Sequence, residues 1–185
     1  MKHILLTLLL GTVLATPALA GKHPTYKFDT DAQGWTTFDG GDMVWVGGDP
    51  KRGGYLQITD VTSGDFVMIP PPESLGDWSA YVGGSLSFVA RNGNNDLPDW
   101  PLFGTLVLGN GVTTLSLDLV PDNAPPADGR WHRYTLPLDT ATWGPDLPAV
   151  MAALSVLTLK LEYHNGVSEV VHFDSFKVRP PLPTR

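Results

Sequence analysis

Hydrophobic and polar residues alternate in short runs along most of the chain. In Tyr55–Thr59, Thr114–Val120 and Leu157–Tyr163, apolar side chains occupy every second position. A period of two is typical of β-strands that bury one face and expose the other to water. Glycine and proline fall between short runs rather than in low-complexity tracts, which favours turns. The pattern therefore predicts an all-β chain folded as an antiparallel sandwich.

Five more runs extend the strand prediction, and one segment favours a helix. The additional predicted strands are Asp65–Ile69, Ser85–Ala90, Phe103–Leu108, Trp131–Leu138 and Val170–Val178. Val150, Met151 and Leu154 have helical spacing. Asp146 is a candidate N-cap for this segment, and Pro148 would lie in the first turn. One short helix is therefore expected there.

The first twenty residues have the features of an export signal. Lys2 gives a basic start, the apolar run Ile4–Val13 follows, and Ala18-Leu19-Ala20 supplies a cleavage site. The alternative is a buried N-terminal helix. The apolar run is shorter than the roughly 20 residues that span a bilayer, and no second one follows. We expect a signal peptide at 1–20, one domain at 21–185, a secreted or periplasmic location and no membrane insertion.

Composition narrows the chemistry further. The 185 residues include no cysteine and carry a formal net charge of −7 at pH 7. Without cysteine, the chain can form neither a disulfide nor a thiolate metal site. The sequence has no cluster of lysine and arginine residues, whereas nucleic-acid binding rests on counterion release by such cations. Nucleic acid is therefore not an expected partner.

Part of the chain resembles a known family. Ile69–Phe88 resembles the laminin B domain (laminin domain IV), whose pattern is an apolar proline-rich step, a Leu-Gly element and a Tyr-Gly-Gly-x-Leu-x-Phe strand. Val82 is a departure from this pattern. Leu106–Val112 and Phe173–Val178 match in the family's order, so the resemblance covers about Phe28–Val178. It implies a jelly-roll β-sandwich similar to carbohydrate-binding modules and a non-catalytic role. By fold analogy the partner is a glycan or an extracellular protein.

The sequence carries no motif for catalysis. It has no Gly-x-Ser-x-Gly elbow, no His-Glu-x-x-His motif and no phosphate-binding glycine loop. A glycosidase needs two carboxylates facing each other across a cleft. Asp96 and Asp99 lie in an expected loop without a positioned partner, and Glu162 is expected on the outward face of its strand beside Lys160. We predict that the protein is not an enzyme.

Aromatic side chains near expected loops are the candidate ligand contacts, because sugar binders stack pyranose rings on exposed aromatic faces. The long expected loops are Phe38–Gly54, Asn92–Pro101 and Pro121–Gly129. The candidates near such segments are Trp100, Trp45, Trp78 and Tyr81. For each of them the alternative is a core or loop-anchoring role. The tryptophans assigned to packing are Trp35, Trp131 and Trp143.

A structural calcium ion is a further candidate where the two ends of the domain meet. In jelly-roll binding modules, an acidic N-terminal turn commonly meets an Asp of the last strand around Ca²⁺, so the resemblance implies Asp29, Asp31 and Asp174 as ligands. Ca²⁺ takes 6–8 oxygen ligands, and three acids together would repel one another without a cation. The alternative is that Asp31 only forms a turn and that Asp174 is solvated.

Three functions remain open from the sequence. The leading one is a non-catalytic binding or adhesion module of the laminin B type. The rival is a carbohydrate-binding module that recognises a polysaccharide, and the third is a structural protein of an exported assembly. The oligomeric state and the ligand's identity do not follow from the sequence.

Overall fold

The computed structural model describes residues 24–100, 103–118, 124–165 and 169–183. Within these ranges the chain forms two antiparallel β-sheets that pack face to face. Alternate positions of most strands are buried, so that apolar side chains of both sheets meet in one core. The antiparallel β-sandwich predicted from the sequence is confirmed.

The larger sheet has six strands, with the last strand of the chain near its centre. Its strands are β1 (Thr25–Tyr26), β3 (Gly41–Asp49), β4 (Gly53–Asp60), β6 (Gly84–Asn92), β9 (His132–Leu138) and β11 (Val170–Arg179). The order across the sheet is β3-β4-β11-β6-β9, and β1 also pairs with β11. β11 is thus hydrogen-bonded to β4 on one side and to β6 on the other.

The smaller sheet has five strands. They are β2 (Thr36–Phe38), β5 (Val67–Ile69), β7 (Thr105–Gly109), β8 (Thr114–Asp118) and β10 (Val156–Lys160). The order is β2-β5-β10-β7-β8. In the β10–β7 register Leu159 lies opposite Leu106 and Leu157 opposite Leu108. All four side chains are buried, so the prediction that Leu157 and Leu159 face the core is confirmed.

Each of the eight predicted runs contains a strand, but three strands were not predicted: the short strands β1 and β2, and the nine-residue strand β3. β3 occupies a segment that was expected to be a loop, Phe38–Gly54. Its sequence Gly-Asp-Met-Val-Trp-Val-Gly-Gly-Asp is rich in residues that favour turns. Pairing with β4 overrides that preference, because Met43 lies opposite Ile58 and Trp45 opposite Leu56 in a continuous ladder.

Two short α-helices follow β9 where one was predicted. α2 (Leu147–Met151) is the expected helix and has Pro148 in its first turn, but the side chain of Asp146 makes no capping hydrogen bond. α1 (Thr140–Trp143) was not predicted. Asp139 caps it, since the carboxylate accepts a hydrogen bond from the amide of Thr142 at 2.8 Å. Trp143 is buried, as expected.

An aromatic cluster joins the N-terminal segment to β11 inside the core. Its members are Phe28, Trp35, Phe173 and Phe176. The ring of Trp35 lies 5.0 Å from Phe176 and 5.3 Å from Phe173, between centroids. Aromatic contacts of this kind stabilise a core beyond the area that they bury. Trp35 therefore has the packing role expected from the sequence.

A β-bulge in β11 keeps these two phenylalanines on the same side of the sheet. The register with β6 shifts between Asp174 and Lys177, and Ser175 has a positive φ of 59°. Strict alternation would place Phe173 and Phe176 on opposite faces. The extra residue in the bulge shifts the alternation by one position. Both rings therefore enter the core, while Asp174 and Lys177 point outward.

Of two charged residues that were expected to be solvent-facing, one is buried and the other is partly exposed. Glu162 is 5 % exposed, because β10 ends at Lys160 and the segment around Phe66 covers the carboxylate. Glu162 accepts a hydrogen bond from the amide of Phe66 at 2.8 Å. The Nζ atom of Lys160 lies 3.0 Å from Glu162 and 2.7 Å from Asp65. The expectation that Glu162 faces solvent is therefore wrong, whereas Lys160 alternates with buried Leu157 and Leu159, as predicted, and is partly exposed.

In the part of the chain that the structure describes, no helix is long and apolar enough to cross a membrane. The expected signal peptide at 1–20 and the end of the run Thr114–Val120 lie outside the described residues. So does Gly166 of the expected Asn165-Gly166 turn.

Replacing Leu159 by Ala is expected to destabilise the protein by about 2–5 kcal/mol, as truncation of a buried leucine does. The matched control is Val156→Ala on the same strand, whose side chain is 41 % exposed, and which should cost about 0.5 kcal/mol or less. Urea denaturation measures both. A larger loss for Val156→Ala than for Leu159→Ala would show that the register of β10 is inverted.

Candidate functional site on the six-stranded sheet

The outer face of the six-stranded sheet is the face that points away from the five-stranded sheet. Apart from the irregularities in β3 and β11, its side chains alternate with core-facing residues along the strands, and the registers align them in rows. One row across the sheet contains Val44, Gln57, His172 and Arg91, from β3 to β6. The neighbouring row contains Asp174, Val89 and Arg133. Polar and charged residues thus occupy the middle of this face.

Two aromatic residues from opposite sides of the sheet meet above these rows. The ring of Tyr55 on β4 lies 5.5 Å from Trp131, which directly precedes β9, in an edge-to-face arrangement. His172 on β11 lies 4.9 Å from Tyr55 and 6.2 Å from Trp131. The guanidinium of Arg52 lies 4.4 Å from the Trp131 ring centroid, and that of Arg91 lies 5.0 Å from it. Cation–π attraction joins the two arginines to the aromatic rings, and ring contacts join His172 to both rings.

We call this group the outer-face cluster. Its members are Arg52, Tyr55, Gln57, Arg91, Trp131, His172 and Asp174. They come from the β3–β4 turn and from β4, β6, β11 and the start of β9. Residues far apart in sequence therefore meet only because the strand order places β11 between β4 and β6.

A chain of hydrogen bonds fixes the protonation of His172. Burial, together with the positive charge of Arg91, lowers the pKa of His172 to about 4. The imidazole is therefore neutral at pH 7, and its Nδ1 accepts a hydrogen bond from Nε–H of Arg91 at 2.9 Å. Nε2 must then carry the hydrogen and donate it to Oε1 of Gln57 at 3.2 Å. The relay holds Arg91 and Gln57 in fixed positions.

Asp174 is the one carboxylate of the outer-face cluster, and an arginine neutralises it. Its Oδ2 lies 2.7 Å from Nη1 of Arg52. Burial raises the pKa of Asp174, and the hydrogen bond and charge of Arg52 oppose this rise. Arg52 thus links the β3–β4 turn to β11 while its guanidinium lies against Trp131.

The outer-face cluster combines aromatic surface with several hydrogen-bonding side chains. Tyr55 and Trp131 are partly exposed, as are Arg52, Gln57 and Arg91. Such a combination suits a ligand with both C–H faces and hydroxyl groups, because rings stack on the first and polar side chains bind the second.

The ligand candidates predicted from the sequence do not lie in this cluster. Trp45 is 39 % exposed and lies on the edge strand β3, where its Nε1 donates a hydrogen bond to the carbonyl of Phe28 at 2.7 Å. A Cβ at Gly47 or Gly54 would overlap with the Trp45 ring, so both glycines make room for it. Trp45 thus anchors the N-terminal segment to the sheet edge.

Trp78 and Tyr81 are only 3 % and 7 % exposed. Their rings contact each other edge to face, at 5.7 Å between centroids. They line a pocket of about 180 Å³ together with Tyr26, Glu73 and Asp77. Nε1 of Trp78 donates a hydrogen bond to a backbone carbonyl at 2.8 Å. Little of either ring is available for stacking, and a ligand role for them stays a prediction.

Trp100 lies against the five-stranded sheet. Its ring centroid is 5.3 Å from Nζ of Lys160, and its amide donates to the carbonyl of Tyr163 at 3.0 Å. The adjacent pocket, which Asp65 and Glu162 also line, measures about 40 Å³, room for about one water molecule. Trp100 and Trp45 therefore do not line one groove, and a ligand role for Trp100 stays a prediction.

The loop that carries Trp100 is fastened by His164. The imidazole lies 2.8 Å from Asp96 and 3.1 Å from Asp99. Burial lowers the pKa of His164, but the two carboxylates outweigh this effect and raise it above its usual value. The ion pairs favour a loop-anchoring role for residues 93–100.

Two of the three aspartates proposed as calcium ligands have other partners. Asp174 pairs with Arg52, and Asp31 accepts a hydrogen bond from the amide of Gln33 at 2.8 Å. Among the residues that the structure describes, no group of three or more His, Asp or Glu side chains is placed to hold a metal ion. The residues as placed do not fit the expected site, and calcium binding itself stays a prediction.

Sequence reasoning missed the outer-face cluster, although a signal for part of it was present. Trp131 was assigned to packing. Yet Tyr134, Leu136 and Leu138 are in phase on the core side of β9, so Arg133 lies on the opposite face and Trp131 precedes it by two positions. The same rule places His172 opposite Phe173. Nothing in the sequence shows that Arg52 reaches Trp131.

Comparisons with known proteins bear on the fold. No protein-family model matches the chain, and no curated protein matches it. The resemblance to the laminin B domain therefore receives no support, and the jelly-roll part of that expectation rests on solved structures instead.

Several solved structures share the fold at low sequence identity. A family 11 carbohydrate-binding module from Clostridium thermocellum matches with a TM-score of 0.53 and 15 % identity, over 86 % of this chain and 98 % of that one. The CBM22-1 xylan-binding domain of Paenibacillus barcinonensis Xyn10C matches with 0.56 and 15 %, over 91 % and 100 %. An exo-β-agarase matches with 0.57 and 14 %, over 88 % of this chain but only 25 % of its own. The fold is therefore a jelly roll, as expected.

The pH dependence of stability should differ in sign between His172 and His164. The pKa of His172 falls from 6.5 to about 4 on folding, so its contribution is present above about pH 6.5 and is lost as the pH falls towards 4. The pKa of His164 is raised, so its contribution is present at low pH and is lost as the pH rises. Urea denaturation of His172→Gln and His164→Gln across this range measures both. Parallel pH profiles for the two variants would contradict the assignment.

Calcium binding can be tested by thermal melting of protein that has first been stripped of metal. A bound ion stabilises the folded state by mass action, so the melting temperature should rise with millimolar calcium and fall again with EDTA. A melting temperature that neither addition changes would exclude the ion.

Proposed function

We propose that this protein is a non-catalytic carbohydrate-binding module and that the outer-face cluster is its glycan site. The observation that carries the proposal is the meeting of Tyr55 and Trp131 with Arg91, Gln57 and His172 on one sheet face. Aromatic rings beside fixed hydrogen-bond donors are what a pyranose requires from a protein surface.

The structural neighbours support this proposal. The family 11 module was solved in complex with a β-1,3-1,4-mixed-linked tetrasaccharide, and the module of Xyn10C is described as a xylan-binding domain. Both align over nearly their whole length with this chain. A fold alone does not fix a function, so the proposal rests mainly on the side chains of the outer face.

The outer-face cluster lacks the pair of carboxylates that glycoside hydrolysis requires. Its one carboxylate, Asp174, is ion-paired with Arg52 and is 2 % exposed. Elsewhere in the described residues, Lys160 bridges Asp65 and Glu162 beside a pocket of about 40 Å³, and His164 bridges Asp96 and Asp99. That arrangement supports binding without catalysis.

An exported setting fits a module of this kind. The expected signal at residues 1–20 would deliver the chain to the compartment where polysaccharides are found. Fusion of residues 1–20 to a reporter, followed by cell fractionation, tests this directly. A reporter that stays in the cytoplasm would contradict the export proposal while leaving glycan binding open to its own test.

Replacing Trp131 by Ala should weaken glycan binding about tenfold or more, because a central aromatic contact is lost. Affinity electrophoresis in gels that contain soluble polysaccharides measures the effect, with xylan and mixed-linkage glucan among them. Trp100→Ala is the control, since it removes the same side chain from the five-stranded side of the sandwich and should leave binding unchanged. Melting curves of both variants report whether the fold survives.

Two results would contradict the proposal. One is that no polysaccharide in the gel slows the migration of the protein. The other is binding that survives Trp131→Ala but is lost in folded Trp100→Ala, which would move the site to the loop 93–100.

A further inference from the structure

The outer face is rich in cations although the chain is acidic. The cationic residues on this face are Arg52, Arg91, Arg133, Lys177 and Arg179. The whole chain has 12 Lys and Arg residues against 19 Asp and Glu, with a net charge of −7. The excess of negative charge therefore lies elsewhere on the molecule, and this face differs from it in sign.

Few acidic groups offset these cations. On the outer-face positions of the described strands, the carboxylates are Asp174 in the middle, and Asp42 and Asp49 on the edge strand β3, where Asp49 lies opposite Gly53. Arg52 forms an ion pair with Asp174 and neutralises its charge. Within the described ranges, no carboxylate forms an ion pair with Arg91 or Arg133. Two guanidinium groups are thus left without a counter-charge.

Both guanidinium groups are placed for a ligand on this face. Arg91 is held through its Nε, which donates to His172 at 2.9 Å, so the terminal nitrogens remain as donors. Arg133 is exposed and lies on the adjacent strand, opposite Val89. An arginine that is fixed through one nitrogen loses less conformational entropy when its remaining donors bind.

The aromatic surface of the site is also lined by cations. Arg52 and Arg91 both lie within 5.0 Å of the Trp131 ring centroid. A sugar that stacks near this ring is therefore brought beside two guanidinium groups. For a neutral sugar these groups serve only as hydrogen-bond donors, whereas a carboxylate on the sugar gains charge-assisted and bidentate hydrogen bonds.

We infer that the glycan bound by the outer face is an anionic polysaccharide, with uronic-acid carboxylates bound by Arg91 and Arg133. This inference rests on the proposed glycan site and names its substrate class. Complementary charge on an otherwise acidic protein also orients the encounter, because a polyanion is attracted to this face and repelled by the others.

The test compares acidic polysaccharides with neutral partners that share their backbone. Suitable pairs are polygalacturonate with its methyl ester, alginate with carboxyl-reduced alginate, and glucuronoxylan with unsubstituted xylan. The wild-type chain should bind the acidic member of at least one pair about tenfold more tightly than the neutral member. Rising ionic strength should weaken this binding, since salt screens exposed charges.

Variants assign the effect to the two arginines. Arg133→Gln removes one exposed charge, and Arg91→Gln with Arg133→Gln removes both unpaired charges. The double Gln variant should lose the preference for the acidic member, whereas Arg91→Lys with Arg133→Lys keeps the charges and should keep part of it. Melting curves check the fold, and the exposed position of Arg133 keeps the single variant informative if the double variant unfolds.

Each remaining outcome decides between the two proposals. Equal binding to acidic and neutral members, unchanged in the Gln variants, would overturn the anionic class and leave the glycan site standing. Binding to sulfated carrageenan but to no carboxylated glycan would overturn the carboxylate assignment. Equally tight binding to single-stranded DNA would show that the face attracts any polyanion, which overturns the inference. Binding to no polysaccharide at all would refute the proposed function as well.

Discussion

Strand β11 has to serve the core and the outer face at the same time. Phe173 and Phe176 complete the aromatic core around Trp35, while His172 and Asp174 carry the polar contacts of the opposite face. A strand with strict alternation cannot do both, because the two phenylalanines are three positions apart. The bulge at Ser175 resolves this conflict, because it brings Phe176 into the core beside Phe173 while His172 and Asp174, which precede the bulge, stay on the outer face.

The outer-face cluster contains more buried polar side chains than a simple solvent-facing sheet requires. His172 and Asp174 are buried beneath Arg52, Arg91 and Tyr55, and burying such groups costs free energy unless partners satisfy them. Most of their atoms have partners, but Oδ1 of Asp174 is buried without one. Arrangements of this kind hold side chains in fixed positions, which lowers the entropy cost of binding a ligand. The proposed binding role accounts for this arrangement.

The sequence was sufficient to predict the two-sheet sandwich, but it was not sufficient to predict the candidate site. The alternation of apolar and polar residues correctly predicted that Leu157 and Leu159 are buried, because this pattern depends only on neighbouring positions of one strand. β3 was missed, since its Gly and Asp residues favour turns and only pairing with β4 makes it a strand. Trp131 meets Tyr55 across two intervening strands, and contacts over such separations depend on sheet order, which local patterns do not encode. Glu162 was misplaced for a related reason, because covering segments bury one end of β10.

The central claim is that the ligand contacts the outer face of the six-stranded sheet. Nuclear magnetic resonance of the ¹⁵N-labelled chain tests it most directly, through the indole N–H signals of the tryptophans and the Nε–H signals of the arginines during titration with an oligosaccharide. The account predicts that the signals of Trp131, Arg91 and Arg52 shift while those of Trp100 and Trp78 stay in place. Shifts at Trp100 or Trp78, with Trp131 and the arginines unchanged, would contradict it.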